Sequence, residues 1–286
     1  QQYILKLGII FLGIRLSFSD FIKFGSIAIP LIIICILGVL ILVKLLIKKV
    51  PISSKMSYLI AIGTSVCGAT AIVATAPVIN AKKSEVAYAI ANITLFGVIA
   101  MLVYPYFAEW YFDNEALNAG LFLGTSIHET SQVAAAGLIY DQQFNNPETL
   151  NVATVTKLIR NTFLVILIPL FAFLYNRGEL KGQNYSILNI FPYFVLGFIG
   201  MIIVRNLGDQ FFPIGNSNHE IWVGIIGYLK TLATVFLTMA MAAVGISINL
   251  GELKSMGYKP FVVGLIAAVT VGIISLIYIE TLNKLI

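Results

Sequence analysis

Apolar residues in this chain gather into nine long runs, at about 3–19, 27–47, 57–80, 86–107, 118–139, 154–175, 187–208, 221–248 and 260–283. Continuous apolar runs of roughly 20 residues read as membrane helices, whereas barrel strands alternate over about ten residues. Two runs break the pattern at their centres. One carries Gly63-Thr64-Ser65-Val66-Cys67-Gly68-Ala69-Thr70, and the other Gly124-Thr125-Ser126-Ile127-His128-Glu129-Thr130-Ser131-Gln132. Both open with Gly-Thr-Ser and a β-branched residue, and both place small and hydroxylated residues where a lipid-facing helix would carry Leu or Phe. The pattern predicts an all-α polytopic membrane protein, a helical bundle with two interrupted helices, each re-entrant or broken at mid-membrane. Irregular backbone at that depth is tolerated only inside protein or against a watery cavity.

The charges between the runs bear on that choice. Lys48, Lys49 and Lys55 precede the first motif run and Lys82 and Lys83 close it; acidic stretches, Glu109 to Glu115 and Asp141 to Glu148, flank the second. If each motif run enters and leaves on one side, the basic stretches share the cytoplasmic face and the acidic ones the outer face, as the positive-inside rule asks. Arg177, Lys181, Lys254 and Lys259 then fall inside, and Lys23 and Lys284 are the exceptions. This favours two hairpins entering from opposite faces. The pairs Gly63-Thr-Ser-Val with Gly124-Thr-Ser-Ile, and Leu12-Gly-Ile-Arg-Leu with Val244-Gly-Ile-Ser-Ile, raise an inverted repeat, although their A-B-B-A order is not that of a tandem copy.

Composition narrows the class. Hydrophobic residues are 59% of the chain and charged residues 11%, against roughly 25% charged in soluble domains. Mean hydropathy is +0.94. The net charge of +5 sits in short loops and gives no reason to expect nucleic acid. Cys35 and Cys67 lie in apolar runs, so no disulfide framework is expected. The chain opens Gln1-Gln2-Tyr3 straight into an apolar run without a basic leader, which is no signal peptide; residues upstream are expected. A single transmembrane transporter domain over 1–286 is the expected organisation.

These residues resemble the YeiH family, UPF0324, also named as sulfate exporters. The resemblance rests on Gln2 to Ile10, Gly13-Ile14-Arg15-Leu16, Gly63 to Ala69, Gly124 to Gly137 and Met239 to Gly245, and runs over essentially the whole chain. It implies a bacterial inner-membrane transporter whose members carry about two further apolar segments ahead of this start. A more distant similarity is to the sodium/bile-acid and cation/proton antiporter group, with two interrupted helices at the centre.

The chemistry follows from residue type. Gly63, Thr64, Ser65, Cys67 and Gly68, with Thr125 and Ser126, would turn N–H groups and hydroxyls toward an anion at a half-helix end, as against close helix packing through small residues. His128 and Glu129 are the adjacent ionisable pair within an apolar run. Charge at that depth costs at least about 2.5–3.5 kcal/mol, which marks such residues as functional, and His titrates near neutrality. Gln132 shares a helical face with His128 if the segment is helical there. His128, Glu129 and Gln132 are therefore the ion-coupling candidates. Arg15, at the end of its run, is an anion-binding candidate as against a snorkelling or ion-pair residue. Lys157 and Arg160 read as interfacial anchors near the start of the 154–175 run. Asn92, Thr94, Asn161 and Lys230 are weaker cavity candidates, Asn249 a helix cap, and Trp110, Tyr111 and Trp222 an aromatic belt.

The expected function is secondary transport of a small anion such as sulfate, a related sulfur oxyanion or a sulfonate, coupled to H⁺ or Na⁺. No cofactor, metal or catalytic residue is expected; the expected partners are the anion, the coupling ion, the bilayer and a further copy of the chain. Alternatives are a membrane-embedded enzyme using Cys67 or Ser65 with His128, or a passive anion channel. No GxxxxGK[ST] motif points to ATP-driven transport.

Overall fold

The structure, a computed structural model, describes residues 2–15, 18–76, 79–164, 166–167, 170–171, 194–247 and 257–284. Arg177, Lys181, Asn249 and Lys254 lie outside these residues. In chain order the helices are α1 (Gln2–Leu12), α2 (Phe18–Leu46), α3 (Ser54–Ser65), α4 (Ala69–Thr75), α5 (Lys83–Phe112), α6 (Ala116–Ser126), α7 (Thr130–Phe144), α8 (Pro147–Thr162), α9 (Phe194–Phe211), α10 (His219–Ser247) and α11 (Lys259–Asn283). Among the described residues no strand occurs. Three helical stretches among the described residues, Phe24–Leu46, Lys83–Phe112 and Lys259–Asn283, are long and apolar enough to cross a bilayer. The chain is an all-α membrane protein.

It divides into two compact units, Gln1–Ile27 with Pro192–Ser247, and Ala28–Phe191 with Ile248–Ile286. In the first, a 3-10 turn, Gly13–Arg15, follows α1. That turn presses against α9: a side chain at Gly13 would meet Phe198 O and, at 3.0 Å, Met201 Cβ. Asp209 ties α9 to α10, pairing with Arg205 Nε at 2.7 Å and accepting from Trp222 Nε1 at 2.9 Å. Trp222 is 8% exposed and packs with Ile14 and Ile226. It is thus a core residue and not part of an exposed aromatic belt: its ring is buried and Asp209 satisfies its N–H. Trp110, at 78% exposed, fits the belt assignment.

In the second unit the packing partners give the path of the chain. Ser53 caps α3, its hydroxyl accepting from Met56 N at 3.1 Å. Lys55 Nζ donates to Asn80 O at 2.6 Å, and Ser53 Oγ donates to Glu85 Oε1, so the two ends of segment 54–80 are neighbours. Farther along, Gly63 packs on Ile72 and on Ile93 of α5. The chain therefore reverses at 66–68, and α3 and α4 form a hairpin whose mouth lies at the start of α5. Met56, Leu59, Ile60, Ile72, Tyr88 and Ile93 close the space between them.

The second segment behaves likewise at the other end. Gly120 packs on Val152 and Gly124 on Ala153 and Thr156, so α6 runs along α8 in the same direction. The chain then turns back: Thr130 meets Asn161, and Gly137 meets Leu150. Gly120 and Gly137 thus face the same stretch of α8, and the reversal lies at 127–129. The mouth of this hairpin is at the end of α5, where Tyr140 OH donates to Glu109 Oε2 at 2.6 Å and Asn146 Nδ2 to Asn114 O at 2.9 Å.

Helix α5 has 30 residues and is about 45 Å long at 1.5 Å per residue. It carries one hairpin mouth at each end, and both tips reach its middle. Gly63 lies against Ile93, and Gln132 Nε2 donates to Thr94 O at 3.2 Å. Helix α11 runs alongside in the same direction: Asn92 Nδ2 donates to Pro260 O at 2.9 Å, and Phe96 packs on Phe261 with centroids 4.8 Å apart and rings tilted by 45°.

A side chain at Gly124 would stand 2.7 Å from Ala153 O and 2.7 Å from Thr156 Cβ. The first is backbone and cannot step aside. Gly124→Val is expected to force α6 off α8 and to destabilise the protein by about 1–3 kcal/mol, seen as a lower thermal midpoint in detergent; an unchanged midpoint would contradict the parallel packing of α6 on α8.

Candidate functional site

The two tips present four helix ends to one another. Thr64–Val66 and Thr125–Ile127 are the carboxyl ends of α3 and α6, where the last carbonyls lack partners within the helix and the pole is negative. Gly68–Ala69 and Glu129–Thr130 lead into α4 and α7, where N–H groups point outward.

The carbonyl ends are met by two cations from α8, one turn apart. Arg160 Nε donates to Ser65 O at 2.7 Å, and its Nη1 and Nη2 donate to Thr125 O and Thr64 O. Lys157 Nζ donates to Val66 O and to Ile127 O, at 2.8 Å each. Both side chains are fully buried, at 0% exposure. They are therefore not interfacial anchors. Helix α8 begins at Pro147, with Asn146 as its cap and Glu148 in its first turn, so Lys157 lies three turns inside it. Two charges at this depth would cost about 5–7 kcal/mol on insertion scales. Five charge-assisted bonds, at about 1.5–3 kcal/mol each, outweigh that cost.

The N–H ends share one carboxylate. Glu129 Oε1 accepts from Ala69 N at 3.2 Å, and Glu129 also forms a capping box with Gln132, whose Oε1 accepts from Glu129 N at 3.2 Å. The backbone at 127–129 is not helical, so Gln132 does not share a helical face with His128 but bridges α7 to Thr94 O on α5. Gly68 has φ +62°, a conformation that favours glycine, and a Cβ there would lie 2.5 Å from Glu129 Cγ. Carbonyls, not N–H groups, are thus what residues 64–66 turn toward the tip junction, and of the first motif's N–H groups that of Ala69 is taken by Glu129.

Around this frame lie buried polar atoms without a protein partner: Thr64 Oγ1, Ser65 Oγ, Ser126 Oγ, His128 Nδ1, Ser131 Oγ and Asn161 Oδ1. Buried polar groups are nearly always hydrogen-bonded, so such a cluster calls for water or a polar ligand. Thr125 differs: its hydroxyl donates to Leu121 O at 2.7 Å and pairs with Ser275 Oγ at 2.7 Å. Gly63 serves packing against Ile72 and Ile93, and Cys67 is a buried free thiol. Arg15 belongs to the other unit, where its Nη2 donates to Thr234 Oγ1 at 3.1 Å. Lys230 is half-buried in that unit as well. Asn92 and Thr94 join α5 to Pro260 and Gln132, and Asn161 Nδ2 donates to Thr130 Oγ1 at 2.9 Å.

Over residues 1–264 the chain matches the model of a family described as conserved hypothetical protein 698. The chain belongs to that family, UPF0324. It is 35% identical over 282 residues to a UPF0324 membrane protein of Fusobacterium nucleatum, covering 96% of this chain and 81% of that protein. It is 35% identical over 274 residues to one from Streptococcus agalactiae, covering 96% and 78%. With the UPF0324 inner membrane protein YeiH of Escherichia coli K12 it shares 33% identity over 275 residues, covering 93% and 72%. No solved structure matches. As a UPF0324 protein with helices able to span a bilayer, it is a protein of the bacterial inner membrane.

Arg160→Met removes three hydrogen bonds and leaves buried carbonyls unmet, each at about 1–3 kcal/mol. The expected result is a loss of roughly 3 kcal/mol or more, read as earlier reaction of Cys35 and Cys67 with a thiol dye during thermal unfolding. Arg160→Lys is expected to recover only part, since one ammonium does not span three carbonyls.

Proposed function

We propose that this UPF0324 protein is a secondary transporter of a small oxyanion, held where the two hairpin tips meet. The observation that carries the reading is the buried pair Lys157 and Arg160 surrounded by unpartnered hydroxyls at mid-length of α5. Cations with hydroxyl donors suit an acceptor-rich ligand such as sulfate, a related sulfur oxyanion or a sulfonate. Ser65, Thr64 and Ser126 supply the hydroxyls, His128 and Glu129 the groups that answer to the coupling ion, H⁺ or Na⁺. The hairpins are re-entrant, one from each face, and alternating access exposes their junction to each side in turn. Their shared Gly-Thr-Ser endings are the trace of an inverted repeat: both triplets close the first arm of a hairpin, and the same cations bond Thr64 and Thr125, and Val66 and Ile127. On this reading no covalent chemistry occurs at Cys67 or Ser65.

The test is flux in proteoliposomes with sulfate, sulfite, sulfonates and small carboxylates. Wild type is expected to show saturable uptake of at least one of these, Ser65→Ala and His128→Ala at least a tenfold loss, and Lys157→Met no flux above empty vesicles. Equal movement of every anion with wild type and with empty vesicles would end the proposal, and a linear, unsaturable flux would point to a channel.

A further inference from the structure

We infer that the tip junction carries a single net positive charge, so that it takes a singly charged oxyanion directly and a doubly charged one only together with a proton on Glu129. This rests on the anion-transport reading and names the charge its substrate must have.

The helix poles at the junction come in two pairs. Two carbonyl ends, at Ser65 and Ser126, face two N–H ends, at Ala69 and Thr130, and poles of roughly half a charge each cancel. Formal charges then decide. Lys157 and Arg160 stand against the one carboxylate of Glu129. Both cations meet carbonyl oxygens at the negative poles of α3 and α6, a setting that favours their charged forms. His128 is buried and two cations already stand at the junction, so a third positive charge is disfavoured there and it is counted neutral.

No other element alters the count among the described residues. The tip of the first hairpin faces Glu129 with Cys67 as its titratable group, and α2 brings the buried thiol of Cys35 near Arg160; α5 contributes Asn92 to Ala100 and α11 Phe261 to Leu276, and neither stretch holds a titratable side chain. In a low-dielectric setting an uncompensated charge is costly. A monoanion brings the junction to neutrality. A dianion overshoots it by one, and protonation of Glu129, the carboxylate present, restores the balance. Protonation also weakens the hydrogen bond from Ala69 N–H to Glu129 Oε1, which loses its charge assistance.

The experiment is isothermal titration of the purified protein in detergent with methanesulfonate and with sulfate. Each is run in two buffers of different ionisation enthalpy, which reads protons taken up on binding. Methanesulfonate is expected to bind with no proton uptake and sulfate with about one proton per ion. Where Glu129 is ionised in the ion-free protein, sulfate affinity then falls about tenfold for each unit of pH rise. In Glu129→Gln that slope is expected to vanish while sulfate still binds. Equal uptake with both ions, or sulfate binding without uptake, overturns the inference and leaves the anion reading standing. If neither ion binds, the anion reading falls and the inference with it. Should Glu129→Gln fail to fold, the two-buffer comparison on wild type decides alone.

Discussion

Two helix carboxyl ends facing each other inside a membrane are unstable by themselves. Each presents unpaired carbonyls and a negative pole, which are costly away from bulk water. Everything at the centre of the second unit answers that constraint. Arg160 and Lys157 reach from one helix to both ends, and Glu129 does the converse for the N–H ends. The cations are expensive in this place only if the carbonyls are ignored. Remove the tips and α8 holds two buried charges; remove α8 and the tips repel. Neither part is stable without the other, which explains why residues so poor in hydrophobicity sit so deep.

The glycines set the distances at which this happens. Gly120, Gly124 and Gly137 let both arms of the second hairpin close on α8, and Gly63 does the same against Ile93. Such contact through small residues brings backbone to backbone, and the cation side chains then need only span a short gap. The mouths are fixed separately, by Glu85 with Ser53 and by Glu109 with Tyr140. Ends and tips are thus anchored by different chemistry.

Much of this was legible from the chain alone. The motif segments stood out because Thr64, Ser65, Ser126 and His128 occupy positions where lipid would demand Leu or Phe, and the loop charges already paired the ends of each segment. The role of α8 was not legible, for a physical reason. Hydropathy reports contact with lipid, and α8 touches protein on nearly every side, so Thr149, Thr154, Thr156 and Asn161 depress its score while being buried. The apolar run begins near 154, which puts Lys157 and Arg160 at an apparent interface. The better signal was Asn146-Pro147-Glu148, a helix start written in capping residues. Trp222 misled in a similar way, because Asp209, its partner, lies 13 positions away and in another helix.

One consequence follows from both cations being carried on α8. Their anchors belong to two different hairpins, yet both stand on one helix. Sliding α8 by a single residue's rise, about 1.5 Å, would draw Lys157 and Arg160 off both tips together, and neither hairpin could be released while the other stayed bound. On the proposed transport reading, a helix of 16 residues would then act as a common bolt for two doors, and opening would be a single event for the pair.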